Sequence, residues 1–164
     1  MHPSREAARK LIRREALTGA AVSLAINFST NAWKLRGKGP HLLSVDSIGA
    51  KDVTVFSSAV LLALSLAFIV ASINFFTFRK KAVALNLAPS VHFERPYFFF
   101  GVRQALASAL FMFGAIVAVG VLWQRILGSL EVSTLVAASI AGLVAGMASF
   151  HASSRTSSAL LRDQ

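Results

Sequence analysis

Gly19, Ser23, Asn27 and Asn31 stand at four-residue intervals, with Thr30 beside the last of them. On a helix that spacing gathers them into one stripe. Carboxamides and hydroxyls in such a row exchange hydrogen bonds without taking a charge. Two uses are open to them: solvating a polar solute along a path, or bonding to a neighbouring helix. An Asn amide facing hydrocarbon is unfavourable without a partner, so the stripe is expected to face protein or water. Helix–helix bonding, at about 0.6–2 kcal/mol per contact, is the simpler use. Asn27-Phe28-Ser29 also spells a glycosylation sequon, a chance match inside an apolar run.

Two further rows carry small residues rather than reactive ones. Ser58, Ser65 and Ser72 lie one heptad apart, which places them on a single seam. Ala138, Gly142 and Gly146 repeat every four residues, the last two as a GxxxG pair over which two helices approach closely. Both rows are expected to pack helices, within the chain or between chains. The histidines His2, His41, His92 and His151 all fall near the ends of apolar runs. His92 and His151 are placed where a haem or chlorophyll-type pigment would take an axial ligand, set against the ordinary interfacial role of histidine. His41, Asp46 and Asp52 share one loop but lack metal-ligand spacing, and no metal or other cofactor is expected.

These rows need helices to carry them, and the helices are written in long uncharged stretches. Val53 to Phe78 contains no Asp, Glu, Lys, Arg, His or Pro and stops at Arg79-Lys80-Lys81. About 20 apolar residues at 1.5 Å rise cross a ~30 Å hydrocarbon core, so this is read as a membrane span. Similar runs predict spans at 16–33, 98–122 and 132–150. Residues 1–15 are expected to form a basic amphipathic lead-in helix, with Arg5, Arg9 and Arg13 opposite Ala8, Leu11 and Ile12. Residues 16–151 form the membrane domain, and 152–164 a frayed Ser/Thr-rich tail. The predicted fold is therefore all-α: a four-transmembrane-helix bundle behind an N-terminal basic helix.

Composition agrees. Charged residues make up 15% of the 164, where a soluble domain carries about 25%, and the mean hydropathy is +0.62. The net charge of +10 does not point to nucleic acid, because the basic residues sit between the apolar runs. There they suit anionic lipid headgroups. Trp33, Tyr97, Arg103 and Trp123 are placed as interfacial anchors. Arg103 is also set to pair with Glu15 or Glu94 at the same depth. Of the Lys and Arg residues, twelve fall on one side of the predicted spans and five on the other, which puts both termini in the cytoplasm.

Enzyme chemistry has little to stand on. No span carries Asp, Glu or His near its middle, against a proton pump or a carboxylate-ring channel. There is no HExxH, GxSxG, phosphate-loop or lipidation motif. Cysteine is absent, excluding disulfides and thiolate metal sites.

Arg14-Glu15-Ala16-Leu17, then Asn27, Asn31 and Trp33, then Asp46 to Asp52 ahead of a long span ending in Arg79-Lys80, resembles small bacterial four-span inner-membrane proteins of the permease-like kind. The resemblance covers about the first half of the chain. It implies a bacterial cytoplasmic membrane and brings no catalytic residues. The expected function is a non-catalytic accessory or scaffolding subunit, partnered by lipid and by other membrane subunits or copies of itself. The alternative is a small oligomeric permease or channel lined by Ser23, Asn27, Thr30 and Asn31. A further class places lipid binding or catalysis on the loop from His41 to Asp52.

Overall fold

The computed structural model describes residues 3–44, 54–84 and 97–162. Among them, four long helices alternate with two short strands: α1 (Pro3–Leu35), β1 (His41–Leu43), α2 (Val55–Ala84), α3 (Tyr97–Leu127), β2 (Leu130–Val132) and α4 (Thr134–Arg162). The stretches Val55–Phe78, Phe98–Leu127 and Thr134–Ala159 are long and apolar enough to cross a membrane. α1 is long enough but is not among them, because Asn27, Asn31 and its hydroxyl residues dilute its apolar content. The expected lead-in and first span are one unbroken helix, since no Pro or Gly interrupts the chain between Ser4 and Thr18.

Local chemistry sets the helix ends. Thr54 Oγ1 accepts the Ser57 N–H at 3.3 Å and caps α2. Ser133 caps α4 by accepting the Val136 N–H at 3.4 Å. Gly128, at φ 71°, ends α3 in the left-handed conformation, and its N–H reaches the Gln124 carbonyl at 3.1 Å.

The helices run up-down-up-down. Thr134 Oγ1 donates to the Leu35 carbonyl at 3.4 Å, joining the end of α1 to the start of α4. At the opposite end Lys81 Nζ lies 2.7 Å from Glu15 Oε2, joining the late part of α2 to the early part of α1. A ribbon closes the first of these ends: β1 and β2 pair antiparallel, His41 opposite Val132 and Leu43 opposite Leu130. Leu42 and Leu43 are strand residues of this ribbon. Three-residue strands leave too little periodicity to be seen in sequence.

α4 is the centre of the bundle. It packs along α1 on one side and α2 on the other, while α3 lies mainly against α2. Half of its membrane-length stretch is buried inside the chain, against 28% for α2 and 33% for α3. The core between α2, α3 and α4 is built of Ala59, Ala63, Ala67 and Ala71, facing Ala105, Ala109, Met112, Ala148 and Ala152. Small side chains let the backbones approach, which matters in lipid because burying apolar surface there gains almost nothing. The expected tail is an error of boundary. α4 continues to Arg162, and Ser153, Thr156 and Ser157 are buried like the Ser149 before them.

Candidate functional site

The glycine row on α4 receives α1 of the same chain. A Cβ on Gly142 would meet the Leu24 carbonyl oxygen at 3.1 Å and Phe28 Cβ at 3.0 Å. On Gly146 it would meet Leu24 Cβ at 3.3 Å and the Ala20 carbonyl at 3.4 Å. Gly19 on α1 returns the fit, lying against Ser149 and Ser153. Ala138, first of the row, is fully buried. The row therefore does not stop at Gly146 but runs on through Ser149, Ser153 and Ser157. Four-residue spacing was visible there in the sequence, but the hydroxyls read as a polar tail. Asn74 donates through Nδ2 to Ser153 Oγ and ties α2 to this seam.

The polar stripe of α1 lies on the flank of that interface. Ser23, Asn27 and Asn31 are half-buried and Thr30 is exposed. Asn27 Nδ2 donates to the Ser23 carbonyl at 2.9 Å, and Asn31 Nδ2 to the Asn27 carbonyl at 2.8 Å. Each amide thus satisfies its own helix, four residues back. Asn27→Leu is accordingly expected to move the unfolding free energy in detergent by less than about 1 kcal/mol. A larger loss would reveal a partner on another element.

The serine heptad does not line the core. Ser58 and Ser65 are exposed and Ser72 half-buried, while the ladder of Ala59, Ala63, Ala67 and Ala71 carries the packing. Ser65 and Ser72 return their hydroxyls to the Leu61 and Phe68 carbonyls, each at 2.8 Å. The physical reason is size: Ala lets α3 and α4 come closer than Ser does.

The anchors divide. Trp33 is 79% exposed. Trp123 turns inward instead, edge-on to Phe56 with ring centroids 6.3 Å apart and its indole nitrogen buried. The Tyr97 side chain lies outside the described ones. Arg103 is exposed with no ion pair among the described residues: Glu15 is taken by Lys81, and Glu94 lies outside them. His41 Nε2 is 3.2 Å from Thr134 Oγ1, a clasp at the ribbon end. Asp46 and Asp52 lie outside the described residues, as does His92. His151 stacks on Phe111 with centroids 4.3 Å apart, and its Nε2 is buried without a hydrogen-bond partner.

What the sequence missed is a groove. Between the start of α3 and the end of α4 a space of about 560 Å³ opens, lined by Phe100, Gln104, Phe150 and His151. Ser154, Arg155, Ser158 and Ala159 complete it. Among the described residues no three His, Cys, Asp or Glu side chains gather as a metal site. Comparison with protein families, with curated proteins and with solved structures returns no match.

Proposed function

We propose that this chain is a non-catalytic integral membrane protein that serves as an accessory or scaffolding subunit, in a larger complex or a homo-oligomer. The observation behind it is the outward side of α2. Ser58, Ser65 and Ser72 form a small-residue ridge left at the surface after the alanine ladder has met α3 and α4. A ridge of that kind lets a second helix come close, and the hydroxyls of Ser65 and Ser72 already have backbone partners and ask for none. In this reading α1 is a fourth span, its amides closed on its own backbone and its face held by Gly142 and Gly146. The end carrying Arg9, Arg13, Lys80 and Arg103 faces the cytoplasm of a bacterial inner membrane, where Lys and Arg accumulate.

The permease alternative draws support from the half-buried row of Ser23, Asn27 and Asn31 alone. One N–H of each asparagine amide is engaged within α1, and the second N–H and the Oδ1 of each are what the row offers a passing solute.

Reconstitution in bilayers distinguishes the two. Subunit counting by single-molecule photobleaching is expected to find associated chains, or a native complex retained in mild detergent. Ser58→Phe with Ser65→Phe should shift the population toward single chains without unfolding the bundle. Vesicles should show no solute flux beyond protein-free controls. Flux that Asn27→Leu abolishes, with the fold intact, would replace the scaffold by the permease.

A further inference from the structure

We propose that the groove between α3 and α4 binds an anionic phospholipid, with the phosphate ester on Arg155 and an acyl chain against Phe100 and Phe150. It rests on the membrane reading of α2, α3 and α4 and is independent of the scaffold role, so either can fail alone.

The lining divides by chemistry. Gln104, Ser154, Arg155 and Ser158 offer an amide, two hydroxyls and a guanidinium, while Phe100, Phe150 and Ala159 are apolar. Ser154 and Ser158 are one turn apart on α4, with Arg155 between them, so one helix face presents all three. A guanidinium and flanking hydroxyls match the oxygens of a phosphate ester, the guanidinium in bidentate fashion. Among the described residues, Arg155 is exposed and has no ion pair, and no carboxylate lines the groove.

Depth selects the source of the phosphate. The groove opens near where the apolar stretches Phe98–Leu127 and Thr134–Ala159 begin and end, which on the membrane reading of these helices is the level of the headgroups. Lys80 and Arg103 are exposed at the same end of the bundle and add positive potential. Aromatic walls give nothing to a free ion but offer surface to an acyl chain. The volume is of the size that holds a headgroup and its first methylenes.

The full-length chain in a neutral detergent is titrated with phosphatidylglycerol, phosphatidylcholine and inorganic phosphate, and retention is read by native mass spectrometry and thermal shift. Phosphatidylglycerol is expected to bind about tenfold more tightly than phosphatidylcholine, the scale of one charge-assisted contact. Arg155→Gln should erase that preference, and Arg125→Gln at the opposite end should preserve it. If Arg155→Gln does not fold, Ser158→Leu, which obstructs the polar wall, must give the same loss. Equal binding of the two lipids, or a preference surviving the groove variants, overturns the proposal. Stabilisation by inorganic phosphate equal to that by phosphatidylglycerol also overturns it, by assigning the groove to free ions.

Discussion

Gly142→Leu is expected to lift α1 off α4. The first added carbon already meets the Leu24 carbonyl oxygen at 3.1 Å and Phe28 Cβ at 3.0 Å. A backbone carbonyl within a helix cannot swing aside, so the whole of α1 has to move. Gly142→Ala is expected to cost about 1–3 kcal/mol by overpacking, and the leucine at least the upper end of that range. The chain's lack of cysteine makes the check clean. A pair introduced as Gly19→Cys and Ser149→Cys joins α1 to α4 where a Gly19 Cβ would lie 3.4 Å from Ser149 Oγ. Cross-linking should be efficient in the parent background and lost with Gly142→Leu. An unchanged cross-link together with an unchanged unfolding midpoint would mean that the glycines do not seat α1.

Gly101→Ala is the second large effect, and it acts in the other half of the bundle. Its Cβ would fall 2.6 Å from Phe75 Cδ1 and 2.7 Å from Cε1, inside van der Waals contact. Phe75 has no room to retreat: it is 0% exposed and sits beside Phe76 and Phe100, with ring centroids at 5.5 and 5.8 Å. A loss of about 1–3 kcal/mol is expected, with α3 displaced from α2. The double mutant decides the mechanism. In a Phe75→Ala background the alanine at 101 has space, so its penalty should largely vanish, giving a coupling above about 1 kcal/mol. Additive losses would place the strain in the α3 backbone and not in the ring.

The two glycines show what a sequence displays and what it conceals. The Gly142–Gly146 spacing announced a close helix contact, and only its address was missing. Nothing in periodicity names α1 over a second chain, because every small face looks alike until topology brings one opposite it. Gly101 stood alone among aromatics and gave no such signal. The helices themselves were legible because uncharged length is a strong mark. Their ends were less so, since Ser153, Thr156 and Ser157 are as much buried helix residues here as polar tail residues in composition. The serine heptad marked a seam without saying that it lies outside this chain's own core. Its hydroxyls at Ser65 and Ser72 return to their own carbonyls, while the plain alanines nearby carry the core. The groove at Arg155 joins residues far apart in the chain, which no spacing rule can bring together.

The antiparallel fit of α1 against α4 has a consequence for how the molecule is made. Ribosomes extend a chain at ~5–20 residues per second, and domains form in the order they emerge. Leu24 and Phe28 leave the exit tunnel well before Gly142 and Gly146 exist, so the least oily rod waits several seconds for its mate. During that interval it depends on the insertion machinery or on the headgroup layer, and chaperone dependence is expected to concentrate on this one segment. Truncation before Thr134 should therefore leave the middle pair inserted and the amino-terminal rod exposed to protease.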